Sequence, residues 1–277
     1  MSGLTLPSRR PRLVATDLDG TLVRSDGTVS DRSRAALVDV DEAGIEVVIV
    51  TARPPRWIDG LADLVAGHGT VLAGNGAFVY DVPTRKVVSD NGFERNELLS
   101  LVAGLRAWMP RAGFAVERRD GMRAERGYVS PHGEDLPDRI RVEALEDLDD
   151  VPVGKLLVTC PSMGDAEFLT HVREVVGVRG NVAFSGVSGL AEISAPGVTK
   201  AAALARWCER LGIAAADVWA FGDMPNDLPM LTWAGVSFAV ANAHPDVLAR
   251  TTHRCPANDD DGVAQVLEAA LGLTEAG

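Results

Sequence analysis

The chain has 277 residues, of which 46% are hydrophobic, and it carries a formal net charge of −12. This length and composition allow one full hydrophobic core and a smaller second one. The negative charge argues against nucleic acid and membrane surfaces as partners, because both attract concentrated positive charge. We therefore expect a small-molecule ligand, no nucleic acid, no membrane, and a monomer or a weak homodimer.

The N-terminal segment and the cysteines indicate a cytoplasmic protein. The first apolar run is interrupted by Asp17 after four residues, so we expect neither a signal peptide nor a membrane span there. The cysteines are odd in number, far apart and without metal-ligand spacing; they are Cys160, Cys208 and Cys255. A reducing cytoplasm is therefore the predicted location.

Strands and helices alternate in the first part of the chain. Ser30 is a good N-cap for a helix over 31–43, and the apolar run 45–51 is typical of a buried strand. A second helix is predicted over 55–66 and a further strand over 70–73. This βαβαβ order predicts a parallel sheet with right-handed crossovers.

The alternation breaks in the middle of the chain and then returns. The middle contains strand-like and helix-like pieces separated by turn signals, at 94–109, 114–118, 154–160 and 165–176. A region of this size that interrupts one sheet is typical of an inserted α+β domain. After Lys200 the pattern again predicts alternating elements: a helix to Leu211, a strand over 218–221, a helix over 227–233 and a strand over 237–241.

Two acidic segments lie where buried strands would reach solvent. They are Asp17-Leu18-Asp19-Gly20-Thr21-Leu22 and Gly222-Asp223-Met224-Pro225-Asn226-Asp227. Either segment alone is explained as well by a turn or a helix cap. In an open α/β sheet, however, this edge is where ligands bind. Carboxylates gathered there would repel one another, and a hard cation such as Mg²⁺ would hold them together.

Further features between and after these segments complete a recognisable order. An apolar strand ends in Thr51, and Lys200 opens a helix. With the two acidic segments, this order resembles the haloacid dehalogenase superfamily of phosphohydrolases. Other segments are similar to its Cof-type branch, subfamily IIB; they are Asn75-Gly76-Ala77, Leu190-Ala191-Glu192-Ile193, 235–243 and 261–264.

The resemblance implies both a fold and an activity. The fold is α/β, with a Rossmann-like parallel-sheet core over 1–82 and 190–277 and an inserted C2-type α+β cap domain over 83–189 that sets substrate specificity. The activity is Mg²⁺-dependent hydrolysis of small phosphate monoesters, such as sugar phosphates or flavin nucleotides, through an aspartyl-phosphate intermediate.

The acidic residues have distinct predicted roles. Asp17 is the candidate nucleophile. Asp19, two residues along an extended backbone, would face the same side and serve as general acid and base. Asp223 is expected to bind Mg²⁺ with the Asp17 carboxylate and the Asp19 carbonyl. Asp227 would either bind the metal through water or orient Lys200.

Four residues are candidates for binding the phosphoryl group. Thr51 could donate its hydroxyl, although a β-branched residue is ordinary at a strand end. Arg53 is included because Thr-x-Arg-Pro is similar to the Cof-type branch, where a glycine usually stands in place of Ala52. Lys200 opposes the dipole of the helix it opens, and a nearby phosphoryl group would offset this. Asn226 either donates to a phosphoryl oxygen or caps the following helix.

Two rival functions remain. A receiver-like phosphoacceptor also combines an acidic cluster, a strand-end Thr and a Lys, but it has no inserted domain and no late Gly-Asp-x-x-Asn-Asp segment. A phosphomutase would keep every motif and return the phosphoryl group to its substrate.

Arginines of the inserted region could grip an anionic leaving group. The interleaved carboxylates favour instead a solvated surface of mixed charge. These arginines are Arg118, Arg119, Arg123, Arg126, Arg139 and Arg141.

Overall fold

A computed structural model describes residues 5–58, 60, 69–133, 135–183 and 187–274. The described strands are β1 (Leu13–Thr16), β2 (Glu46–Val50), β3 (Thr70–Ala73), β4 (Phe78–Asp81), β5 (Lys86–Asp90), β6 (Gly113–Arg118), β7 (Gly121–Glu125), β8 (Arg141–Val142), β9 (Val153–Thr159), β10 (Asn181–Ala183), β11 (Leu190–Ser194), β12 (Val218–Gly222), β13 (Val236–Val240) and β14 (His253–Cys255). The described α-helices are α1 (Asp31–Glu42), α2 (Pro55–Ile58), α3 (Arg95–Trp108), α4 (Asp165–Val176), α5 (Lys200–Leu211), α6 (Leu228–Trp233), α7 (Pro245–Leu248) and α8 (Gly262–Ala270).

Within the described residues, the first sheet has eight strands in the order β14-β13-β12-β1-β2-β3-β4-β5. The six strands from β14 to β3 are parallel to their neighbours, whereas β4 and β5 extend the sheet as an antiparallel hairpin. Strands β1 and β12 are buried along their whole length, as expected for parallel strands covered on both faces. The predicted parallel α/β core is confirmed.

Local signals set the ends of the helices on this sheet. The hydroxyl of Ser30 accepts a hydrogen bond from the Ser33 N–H and caps α1, as predicted. Thr199 caps α5 in the same way, and Gly212 ends it in a left-handed conformation with φ 63°. The helix predicted over 55–66 is seen as α2; the rest of that prediction, apart from Gly60, lies outside the described residues.

The second sheet, in the part of the chain that the structure describes, has six strands in the order β10-β11-β9-β6-β7-β8. Its central strand β9 is buried along its whole length, and the cluster of buried apolar residues that forms the main core runs through both sheets. Helices α3 and α4, which accompany this sheet, lie where the sequence predicts helices, and β6 and β9 lie where it predicts strands.

The predicted limits of the insertion do not coincide with the change of sheet. Strand β5 lies beyond residue 83 but belongs to the first sheet, because it forms a hairpin with β4. Strand β11 lies beyond residue 189 but belongs to the second sheet, because it pairs with β9. The sheets therefore divide after Asp90 and after Ser194, and the division into a core and a cap domain remains a prediction.

Two further findings concern the cysteines and the helices. The three cysteines predicted to be reduced are buried, free thiols. Within the described residues, every helix is too short or too polar to cross a bilayer.

Candidate active site

The carboxyl ends of β1 and β12 place two aspartates side by side. The strands are paired in parallel, with Thr16 opposite Phe221, so Asp17 and Asp223 leave the sheet at the same edge. A short helical turn after β12 then returns the chain to this edge at Asp227. One oxygen from each of these three buried carboxylates lies within 4.8 Å of the others. The structure thus brings together the acidic residues of both sequence segments.

Lys200 supplies the positive charge inside this cluster. Its Nζ donates to Asp17 Oδ1 and to Asp227 Oδ1, each at 2.6 Å. Burial lowers the pKa of Lys200, but the charges of Asp17 and Asp227 outweigh it and hold that pKa above its ordinary value. A charged lysine at the start of α5 is therefore stabilised by two carboxylates, which supports the interpretation of its position from sequence.

Both carboxylate oxygens of Asp227 accept hydrogen bonds from other groups of the protein. Its Oδ1 accepts from Lys200, and its Oδ2 accepts from the backbone N–H groups of Asp223 at 3.1 Å and Met224 at 3.0 Å. Gly222 permits this close approach, since a Cβ at that position would lie 2.7 Å from the Asp227 Cβ. Of the two roles considered for Asp227, this geometry favours orienting Lys200.

Asp223 is held by residues of the first acidic segment. The Thr21 hydroxyl donates to Asp223 Oδ1 at 2.9 Å. Gly20 has a φ of +74°, and a Cβ there would lie 2.5 Å from Asp223 Oδ2. No role was predicted for Thr21 or Gly20 from the sequence, although both stand within the first motif. Their contacts show that the motif positions Asp223 as well as presenting Asp17.

Asp17 and Asp223 retain protons more readily than isolated aspartates because their pKa values are raised. Burial, with the charge of Asp227, raises the pKa of Asp17 well above its ordinary value, and Lys200 offsets this only in part. Burial and the charge of Asp227 also raise the pKa of Asp223 to about 6. One lysine therefore does not balance three buried carboxylates. The excess negative charge and the hard oxygen atoms fit a Mg²⁺ ion.

Asp19 lies apart from this cluster. Its carboxylate forms an ion pair with Arg53, whose Nε donates to Asp19 Oδ2 at 2.8 Å and whose Nη2 contacts the other oxygen. Its side chain is 54% exposed, unlike the three buried carboxylates. The candidate general acid is therefore close in sequence to Asp17 but occupies the solvent side of the site.

The remaining phosphate-binding candidates differ in their access to the site. Thr51 is buried at the end of β2, and its hydroxyl accepts from the Arg53 N–H at 3.1 Å. Asn226 lines the cavity above Asp17, and its Oδ1 is buried without a hydrogen-bond partner among the described residues. The walls of that cavity include Arg53 but not Thr51.

The cavity between the two sheets has a volume of about 440 Å³. Asp17, Asp19 and Lys200 line one end of it. No role was predicted from the sequence for most of the other lining side chains, among them Arg56, Trp57, Glu117, Tyr128, His132, Lys155 and Glu192. The sequence feature that could have identified two of them is a single charged residue within an apolar strand, Lys155 in β9 and Glu192 in β11. An isolated charge in a buried strand requires a partner or a ligand.

The arginines of the middle region lie outside this cavity. Four of them pair with carboxylates: Arg118 with Asp149 and Asp120, Arg119 with Asp90, Arg123 with Asp120, and Arg126 with Glu143. Arg141 donates to backbone carbonyls of Glu125 and Tyr128. The ion pairs of Arg119, Arg123 and Arg126 fit the expected surface of mixed charge, whereas Arg118 is buried and does not belong to that surface.

Comparisons with known proteins identify the family of the chain. Residues 14–267 match a family described as haloacid dehalogenase-like hydrolase. The chain is 27% identical over 249 residues to the HMP-PP phosphatase of Escherichia coli strain K12, covering 87% of this chain and 88% of that protein.

Solved structures share the fold over nearly the whole chain. A haloacid dehalogenase-like hydrolase from Bacteroides thetaiotaomicron is 28% identical, with a TM-score of 0.75 and coverage of 94% and 99% of the two chains. The subclass IIB sugar phosphatase BT4131 has a TM-score of 0.74 at 18% identity, with coverage of 93% and 98%.

The parallel sheet, with an acidic cluster at its carboxyl edge, places the protein in the Rossmann-like α/β class, whose ligands bind at that edge. The chain belongs to the haloacid dehalogenase-like hydrolase family. Membership of this family and relatives named as phosphatases indicate that it is a phosphatase enzyme.

Proposed function

We propose that the protein hydrolyses small phosphate monoesters, such as sugar phosphates or related metabolites, through an aspartyl-phosphate on Asp17 and with Mg²⁺. The observation that carries this proposal is the position of Asp17. It lines a cavity of about 440 Å³ and accepts a hydrogen bond from Lys200. One of its carboxylate oxygens lies within 4.8 Å of a carboxylate oxygen of Asp223 and of Asp227. A buried nucleophile beside one cation and two carboxylates is suited to phosphoryl transfer.

Two displacements at phosphorus make up the proposed reaction. In the first, a carboxylate oxygen of Asp17 forms a bond to phosphorus while the bond to the leaving oxygen breaks, and Asp19 gives that oxygen a proton. In the second, Asp19 takes a proton from water, which attacks phosphorus and releases Asp17. Lys200 stabilises the negative charge on the phosphoryl oxygens throughout.

Arg53 is proposed to exchange partners when the substrate arrives. Its guanidinium is engaged by both oxygens of Asp19 in the structure. A phosphoryl group presents oxygens in a similar paired arrangement and can accept the same donors. This exchange would release the Asp19 carboxyl for proton transfer. Thr51 and Asn226 are proposed as further donors to the phosphoryl oxygens.

Asp17 and Asp223 are the side chains proposed to hold Mg²⁺, with the backbone carbonyl of Asp19. Asp227 is proposed to act through Lys200, because both of its oxygens already accept hydrogen bonds. When bound, the ion neutralises the carboxylates and polarises the phosphoryl group.

The test of this function is phosphate release from p-nitrophenyl phosphate and from a panel of sugar phosphates. We expect release with Mg²⁺, loss of release with EDTA, and recovery when Mg²⁺ is restored. Isomerisation of a sugar phosphate without free phosphate would support the phosphomutase instead. Undiminished turnover in metal-free buffer would contradict the metal requirement.

The affinity for Mg²⁺ is expected to fall as the pH falls. The pKa of Asp223 is raised to about 6, so below that pH the carboxyl holds a proton that the ion must displace. A single competing proton weakens binding about tenfold per pH unit below the pKa, and the raised pKa of Asp17 acts in the same direction. Calorimetric titration between about pH 7.5 and about pH 5 measures this dependence. The Asp223→Asn variant should lose most of the affinity at every pH, whereas a constant affinity in the unaltered protein would contradict the prediction.

A further inference from the structure

We propose that Glu192 recognises the leaving group of the substrate, accepting a hydrogen bond from a hydroxyl or ammonium donor on it. This inference rests on the proposed function and assigns a specificity-determining residue to it. Under this proposal, the protein prefers phosphate esters whose leaving group carries such donors to esters whose leaving group carries a second anionic group.

The carboxylate of Glu192 is only half satisfied by the protein. Glu192 lies on β11, is 7% exposed, and lines the same cavity as Asp17 and Lys200. Its Oε1 accepts from Lys155 Nζ at 2.8 Å, whereas its Oε2 is buried and has no hydrogen-bond partner among the described residues. Leaving a charged acceptor buried and unpaired is unfavourable, and native structures rarely do so without a reason. A donor on a bound ligand would satisfy this oxygen.

Lys155 holds the carboxylate in position. It is almost fully buried on β9, and besides Glu192 its Nζ donates to the Ala52 carbonyl at 2.7 Å. This second bond ties Lys155 to the segment that carries Arg53, at the phosphate end of the cavity. Glu192 is therefore anchored at a defined place relative to the reacting group, as a specificity residue requires.

The other charges of the cavity favour a donor over an anion. Among the described lining residues, each lysine and arginine already has a carboxylate partner: Arg53 has Asp19, Arg56 has Glu117, Lys155 has Glu192, and Lys200 has Asp17 and Asp227. Among the described residues, the buried lining atoms without a hydrogen-bond partner are both acceptors, Glu192 Oε2 and Asn226 Oδ1. A second anionic group on the leaving group would have to displace an existing ion pair. A hydroxyl or ammonium group could instead donate to the unpaired Glu192 Oε2.

The unaltered protein provides the first test, through kcat/KM for matched esters. Glucose 6-phosphate and glucosamine 6-phosphate offer hydroxyl and ammonium donors, 6-phosphogluconate adds a carboxylate, and p-nitrophenyl phosphate offers no donor on its leaving group. We expect kcat/KM for the best donor-bearing ester without a carboxylate, pentose phosphates included, to exceed kcat/KM for 6-phosphogluconate by at least about tenfold. Equal or better use of the carboxylate-bearing ester overturns the inference.

The second test uses the isosteric variant Glu192→Gln. This variant should lower kcat/KM for the best donor-bearing ester by about 10- to 100-fold, as expected for loss of a hydrogen bond to a charged group. Its kcat/KM for p-nitrophenyl phosphate should stay within about threefold of that of the unaltered protein. Glu117→Gln is the matched control, because Glu117 lines the same cavity but both of its oxygens contact Arg56. This control variant should change kcat/KM for both esters by the same factor.

The outcomes separate the inference from the function on which it rests. If Glu192→Gln lowers kcat/KM equally for the donor-bearing ester and for p-nitrophenyl phosphate, Glu192 has only a structural role and the inference fails. If the unaltered protein hydrolyses p-nitrophenyl phosphate but none of the donor-bearing esters, the inference fails and the proposed function stands. If it releases phosphate from no ester with Mg²⁺, the proposed function itself fails. A thermal melt checks the fold of each variant, and the first test decides the matter should Glu192→Gln not fold.

Discussion

Replacing Asp17 with asparagine is expected to abolish phosphate release and the phosphoenzyme together. An amide is too weak a nucleophile to attack phosphorus, so the loss should be on the order of 10³-fold or more, as for removal of other enzyme nucleophiles. The fold should survive this change, because Lys200 keeps Asp227 as an ion partner at 2.6 Å. The substitution also removes one charge from a crowded cluster in which burial already raises the pKa of Asp17.

Two measurements check this expectation. Phosphate release with Mg²⁺ reports turnover, and the mass of acid-quenched protein reports any phosphoryl group that remains attached. A normal melting temperature with no turnover would assign the loss to chemistry. Substantial turnover in Asp17→Asn, or a phosphoryl group trapped on another residue, would move the nucleophile elsewhere in the chain.

Replacing Asp19 with asparagine is expected to stall the reaction after its first step. The nucleophile remains, but the proton donor for the leaving oxygen and the base for the attacking water are lost, at a cost of about 10²- to 10⁴-fold in turnover. A substrate with a good leaving group needs little protonation, so p-nitrophenyl phosphate should still phosphorylate Asp17. Because the Asp19 side chain lies outside the buried carboxylate cluster, the metal site should be unaffected.

The mass of the acid-quenched protein distinguishes the two aspartates. Asp19→Asn should gain one phosphoryl group on Asp17 during turnover of p-nitrophenyl phosphate. The double variant with Asp17→Asn should gain none, which controls for adventitious phosphorylation. A burst of p-nitrophenol equal to the amount of enzyme should accompany the added mass. Rapid, equal turnover by both single variants would rule out aspartyl-phosphate chemistry in this protein.

Much of the fold and of the acidic cluster could be predicted from the sequence because the deciding signals are local. Helix α4 begins and ends where its pattern predicts, and α5 runs from Lys200 to the predicted end at Leu211. The apolar runs of β1 and β12 indicate strands buried on both faces, which parallel sheets require. Since parallel strands end at a common edge, Asp17 and Asp223 could be expected at the same edge, and the pairing of β12 with β1 then brings them side by side.

The partners of each side chain were decided only by the tertiary structure. The sequence left two roles open for Asp227; the folded chain engages both of its oxygens with Lys200 and two backbone N–H groups. Nor did it predict that Arg53 would hold Asp19, or that β5 and β11 would cross the predicted limits of the insertion.

The pair of Lys155 and Glu192 shows most clearly why these details escape the sequence. Each residue lies in an apolar strand where its charge is unfavourable alone, and each is stabilised by the other across the pairing of β9 with β11. Local propensity and periodicity report what a segment buries, and these properties depend on near neighbours in the chain. Hydrogen-bond partners depend on distances between segments far apart in sequence, which exist only once the sheets have formed.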